Sequence, residues 1–380
     1  MSNYSRYTFA IIIFITFILT GFIYFFATSR DNIQDDNAIY IKMAESPNLY
    51  YLQPYPFRNR ILTPVIVYLL PMEINLGFQI VTFISLNLTA LILFFLMKNM
   101  GLSSVSSFLM VIIYLFSYGS IHSLSNPFLS DPLTYLFLSL LFYLFLKGTS
   151  ELVLSICLFA GTLNRETTLF LIPSSYYYLS KKSSRLSPVL RTFLVWIIPI
   201  IGFLYLNFVP NNDIQQNFNN TMLLIPQIIR DHITKNALFE VYSTFGATWI
   251  LFILNINKSM NRLIRPNIIF IIFILSQLVF ATDEGRMLSF LFPLVIPTAA
   301  YEFERTLQRF KNKYWRIIIL IALLFAEIGS QINWKWVIIP ERYLRYFLVI
   351  LSTIIVLIIA FINRIEITKA SNIQKQIKIT

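Results

Sequence analysis

Residues 152–180 read LVLSICLFAGTLNRETTLFLIPSSYYYLS. The stretch is largely apolar and is interrupted by Asn164, Arg165 and Glu166. It is too long for one ordinary membrane crossing, which takes roughly 17–25 apolar residues. As a single helix it would set an arginine and a glutamate near the middle of a bilayer, where charge is costly. As two short helices meeting at the tripeptide, it carries both charges to one rim. The choice fixes the side of every later segment, and the loop charges decide it. Two crossings put sixteen later lysines and arginines, from Lys181 to Lys378, on one side. The other side then holds six: Arg230, Lys235, Arg286, Lys335, Arg342 and Arg345. Basic residues accumulate on the cytoplasmic side of membrane proteins, so the bias selects two short helices.

The rest of the chain is built in the same way. Of its 380 residues 57% are apolar and 13% charged, and the mean hydropathy is +0.67, far from the composition of a soluble globular domain. Apolar runs of spanning length lie near 8–28, 76–97, 104–120, 131–147, 191–209, 237–255, 266–282, 287–301, 316–332 and 342–362. Together with the two short helices they predict an all-α, polytopic transmembrane bundle of about twelve segments with both termini cytoplasmic. It forms one integral membrane domain over 1–380. The run after Arg6 is longer than a signal-peptide core and reads as a retained first helix. External loops are expected at about 30–75 and 211–236, and a cytoplasmic tail at about 363–380. The first loop contains Ile61–Leu70, an apolar piece too short to span, expected as an interfacial helix or packed on the bundle.

Several chemistries are excluded. The net charge of +12 comes from short loops between apolar runs, which is a topology signal rather than a nucleic-acid footprint. Cys157 is the only cysteine, so the chain has neither an internal disulfide nor a cysteine metal site. His122 and His232 do not have zinc-ligand spacing. There is no phosphate-binding Walker loop, dinucleotide fingerprint or serine nucleophile elbow.

In the predicted topology the charged motifs collect at the non-cytoplasmic helix ends. Asp35 and Asp36 follow the first apolar run, and a helix there sets Asp36, Tyr40 and Met43 on one face. Acids also suit a helix N-terminus, and a carboxylate so placed is a candidate general base. Arg58 and Arg60 flank Asn59 ahead of the short apolar piece. They read either as snorkelling interfacial residues or as a phosphate clamp, since guanidinium matches phosphate oxygens two at a time. Ser130-Asp131-Pro132 has the form of an ordinary helix start. Arg165 and Glu166 read either as an internal ion pair or as site residues. Asp283, Glu284 and Arg286 fall in a tight turn between two apolar runs. The carboxylates on this face are the candidate ligands for a divalent cation, magnesium or manganese; no other cofactor is expected.

This arrangement resembles the GT-C type glycosyltransferases, in particular uncharacterised bacterial members. The resemblance lies in the Asp35-Asp36 pair after the first membrane helix with Tyr40 following, the amphipathic element and Arg58/Arg60 in the first external loop, the Arg165-Glu166 interruption and the Asp283/Arg286 turn. It covers most of the membrane domain in layout, although a soluble C-terminal domain like that of many members is not expected from the short stretch after the last apolar run. It implies a multi-pass enzyme of the cell (inner) membrane, with its site on the non-cytoplasmic face. Such an enzyme transfers a sugar from a polyprenyl-phosphate donor to a glycan, lipid or protein acceptor, with inversion. The resemblance makes Asp35 or Asp36 the base and Arg58, Arg60, Arg165 and Arg286 the donor-phosphate residues. Tyr40, Asp131, Glu166, Asp283 and Glu284 are supporting residues. Two other readings compete. A polysaccharide repeat polymerase or ligase would concentrate its site in larger, later loops. A transporter or lipid-linked oligosaccharide flippase would show paired half-repeats and charges at mid-membrane.

Overall fold

A computed structural model describes residues 3–27, 35–54, 56–182, 186–207, 241–259, 263–278, 283–309, 313–331 and scattered positions from 347 to 358. The expected external loop at 211–236 and the tail at 363–380 lie outside the described residues, as does most of the last apolar run. The described residues are helical and contain no strand. The helices are α1 (Asn3–Ala27), α2 (Asp35–Glu45), α3 (Leu62–Leu69), α4 (Ile74–Asn99) and α5 (Ser104–Leu115). There follow α6 (Tyr118–Ser125), α7 (Asp131–Lys147), α8 (Glu151–Asn164), α9 (Ile172–Ser180) and α10 (Pro188–Asn207). The last five are α11 (Thr248–Ser259), α12 (Ile268–Gln277), α13 (Glu284–Ser289), α14 (Phe292–Arg309) and α15 (Lys313–Gln331).

Two of these, α4 and α10, are long and apolar enough to cross a membrane, and α5 with α6 make a third if the pair is one span bent by 45°. This is fewer than twelve among the described residues, because α7, α8 and α12 are shorter than eighteen residues, most of the last run lies outside the described residues, and other expected runs are divided. The run near 104–120 bends between α5 and α6, and the run near 287–301 is split between α13 and α14. Large apolar side chains face outward: Phe14, Phe22 and Phe25 of α1 and Ile201 and Tyr205 of α10 are more than half exposed. Exposed apolar surface on this scale marks a membrane-facing belt rather than a surface in water.

The break expected within 152–180 is present. α8 ends at Asn164, Arg165 is extended at φ −162° and ψ 135°, and a 3-10 turn, Glu166–Leu171, leads into α9. Pro173 opens α9 where its missing N–H costs nothing. α7 begins with Asp131-Pro132 and stops at Gly148, whose left-handed backbone (φ 71°) few other residues adopt cheaply. α7 packs between α4 and α8, and α8 packs on α10. The short apolar piece of the first loop is α3, which lies on α2, α4 and α8. It buries Thr63, Pro64 and Val67 and leaves Tyr68 and Leu69 exposed.

Two glycines bring α6 against α13. A Cβ on Gly119 would meet Ser289 Cβ at 2.8 Å, and one on Gly285 would meet the Tyr118 ring at 2.9 Å. This contact carries the 283–286 motif to the start of α7.

Candidate active site

α2 buries Asn37, Tyr40, Met43 and Ala44 along one stripe, as residues three and four apart on a helix must align. Asp36 stands at the edge of that stripe with its side chain 34% exposed. Its Oδ2 accepts from Arg286 Nη1 at 3.4 Å. Arg286 also donates through Nε to Asp131, and the other oxygen of Asp131 accepts from Arg165. Asp131 is fully buried, so two guanidiniums share one carboxylate at the N-terminus of α7. The guanidinium of Arg165 lies 4.6 Å from the centroid of the Phe290 ring, a favourable position for a cation over a π face.

A second branch joins α2 to the break after α8. Arg60 grips Glu166 with two hydrogen bonds, that from Nε to Oε2 being 3.0 Å. Its Nη1 donates to the Tyr40 hydroxyl at 3.4 Å, and that hydroxyl lies 3.3 Å from Ser130 Oγ. Burial works against the charge on Arg60, but the Glu166 carboxylate and Tyr40 outweigh it and hold the guanidinium well above its ordinary pKa. Asn164 fixes the backbone between the branches. Its amide nitrogen donates to Ser130 O at 2.8 Å and Thr134 Oγ1 at 2.7 Å, and its carbonyl oxygen accepts from Thr63 Oγ1 at 2.6 Å.

Asp36, Arg60, Asp131, Arg165, Glu166 and Arg286 thus form one network drawn from five parts of the chain. The sequence expectation of a tight turn at 283–286 is replaced by a helix start. Asp283 caps α13 by accepting from the Arg286 N–H at 2.8 Å, and Tyr118 donates to both Asp283 oxygens at 3.0 Å. Asp283 therefore holds the backbone of Arg286 rather than joining the ion pairs described for that arginine. Glu284 is buried on the first turn of the same helix. Asp35 is the first residue of α2, and its side chain lies outside the described residues.

Arg58 differs from the other arginines. It is 0% exposed, and its three guanidinium nitrogens have no hydrogen-bond partner among the described residues. Two residues along, Arg60 is matched to a carboxylate. A buried guanidinium without a counter-ion is expensive, and an anion is the ligand that relieves the cost.

The donor set does not suit the divalent cation considered from the sequence. Asp36, Asp131 and Glu166 each face an arginine, and no three potential metal ligands gather among the described residues.

Sequence reasoning missed Ser130, Asn164 and Tyr118 as site residues. Asn164 had a usable signal, a polar residue inside an apolar run directly before Arg165. Tyr118 had none, being one of 21 tyrosines in the chain.

Compared with protein-family models and with curated proteins, the chain matches none.

Proposed function

We propose that the protein is a membrane glycosyltransferase that uses a polyprenyl-phosphate sugar donor at the non-cytoplasmic face. Arg58 is the observation that carries the reading: a wholly buried guanidinium without a partner beside a network in which every other arginine has its carboxylate. That is an anion seat, and in a membrane chain the fitting anion has a lipid tail. The resemblance to GT-C enzymes supplies the sugar. The finer topology belongs to the same proposal: about twelve crossings, both termini in the cytoplasm and residence in the cell (inner) membrane.

In this mechanism Asp36 accepts the proton of an acceptor hydroxyl. The oxygen attacks the anomeric carbon from the side opposite the phosphate, through an oxocarbenium-like transition state, and the configuration inverts. The bond from the anomeric carbon to the phosphate oxygen breaks, and its electron pair leaves with the lipid phosphate. Arg58 meets that growing charge. Arg286 orients Asp36, Asp131 holds Arg286 and Arg165, and the Arg60–Glu166 pair fixes the wall behind Tyr40. These three arginines therefore act as positioning residues, and no step runs through a metal.

The test is transfer of radiolabelled sugar from a panel of polyprenyl-phosphate sugars, in membranes holding wild type, Asp35→Asn or Asp36→Asn at matched expression. Loss in Asp36→Asn alone is expected. Transfer that survives in both variants removes these carboxylates from the mechanism. A second reading, a lipid-linked flippase, is favoured by the interrupted helices at α5–α6 and α8–α9, since discontinuous helices line transport sites. It gains if wild type binds polyprenyl-phosphate sugars without transferring them.

A further inference from the structure

The opposite end of α7 carries a different chemistry. The seventeen residues of α7 set Lys147 about 24 Å from Asp131 along the helix axis. Lys147 Nζ sits 5.6 Å from the centroid of the Tyr143 ring, and Lys181 Nζ, just after α9, sits 4.2 Å from that of Tyr177. The two helix ends are joined by the parallel stack of Phe145 on Tyr178, 5.2 Å between centroids. They are also joined by Lys182 Nζ, which donates to Thr149 O at 3.2 Å.

Among the described residues neither Lys147 nor Lys181 has a carboxylate partner. The nearby acid, Glu151, is engaged by Arg191 and lies 3.9 Å from Lys182. The Thr149 hydroxyl, in the turn between Lys147 and Glu151, is buried without a hydrogen-bond partner. Just after this turn in the chain, α8 presents Leu152 and Ile156, both more than half exposed.

We propose that the surface where the ends of α7 and α9 meet seats the phosphodiester headgroup of an anionic lipid, with one acyl chain along Leu152 and Ile156. Three features select a lipid over a free anion. Tyrosines with lysines over their rings mark headgroup depth in a bilayer. The unpaired ammonium groups and a hydroxyl donor complement a phosphodiester. The exposed apolar strip on the first turns of α8, five and nine residues after Lys147 in the chain, has no use for inorganic phosphate. The inference needs only the membrane reading and is independent of sugar transfer.

The experiment is native mass spectrometry of the full chain released from detergent, titrated with phosphatidylglycerol, phosphatidylcholine and inorganic phosphate. Wild type should retain phosphatidylglycerol in preference to phosphatidylcholine. Lys147→Gln and Lys181→Gln should each weaken that binding about fivefold, and together about twenty-five-fold. Lys147→Arg with Lys181→Arg should keep it, and Lys42→Gln, at an exposed position of α2, should leave it unchanged. Equal retention of the two lipids, or a double glutamine variant that binds as wild type does, would overturn the proposal. So would displacement of the lipid by millimolar inorganic phosphate, which would leave a simple anion seat.

Discussion

The two ends of α7 treat positive charge in opposite ways. At the Asp131 end, Arg60, Arg165 and Arg286 are buried and each is bound to a carboxylate. At the Lys147 end, Lys147, Lys181 and Lys182 are exposed, and two of them rest on tyrosine rings. Arginine keeps its charge in a dry site and meets a carboxylate with a rigid planar fork. Lysine is strongly hydrated and reaches water over an apolar stem. One end is therefore built for fixed geometry, and the other for a mobile, wet boundary. Arg191 tests the contrast because it is an arginine at the lysine end. It is buried, and it ties Glu151 to the carbonyls of Leu179 and Lys182. There the same fork serves helix ends and leaves the nearby lysines exposed.

If this contrast is correct, removing a charge should matter far more at the first end. Asp131→Asn leaves two buried guanidiniums short of a counter-charge and should cost about 3–5 kcal/mol, read as a lower midpoint in detergent thermal unfolding. Glu151→Gln should shift the midpoint little, and equal shifts would break the comparison. The next effect has the opposite sign. Arg58→Met removes an unpaired buried charge and should raise stability by about 1–3 kcal/mol, while abolishing any stabilisation by polyprenyl phosphate. A midpoint that falls would mean that Arg58 supports the fold rather than a ligand. The smallest effect is one of pH. The hydrogen bond from Arg191 holds the Glu151 carboxyl below its usual pKa. Its contribution is thus complete above the unfolded value of about 4.3 and is lost as pH falls through the lower folded value. With that side chain 39% exposed, the loss should stay under about 1 kcal/mol. It should appear as an acid-dependent drop in midpoint in wild type that Glu151→Gln lacks.

Local chemistry was readable in the sequence where one residue contradicted its surroundings. Arg165 inside an apolar run forced a break, and the break is there. The face shared by Asp36, Tyr40 and Met43 follows from helical spacing alone. Partnership was not readable, because it joins residues far apart in the chain. Asp131 meets Arg165 across 34 positions and Arg286 across 155, and Asp36 meets Arg286 across 250. Asp131 was the most concealed, since an acid before proline is an ordinary helix start whatever its side chain later binds. The acids and the arginines were both visible as site candidates. Only the fold shows that they largely neutralise one another and leave Arg58 apart.

The shared carboxylate at Asp131 has a consequence for biogenesis. Chains are made from the N-terminus at about 5–20 residues per second, so Asp131 enters the membrane roughly 10–30 s before Arg286 exists. In that interval Arg165, at the break between α8 and α9, is the only one of its two ion-pair partners that exists. Arg286 then arrives as the closing piece, bringing with it the tie to Asp36. A ribosome stalled before residue 286 would hold a bundle in which Asp131 has one of its two arginines and Asp36 lacks its guanidinium, although Tyr40 already ties α2 to Arg60 and Ser130.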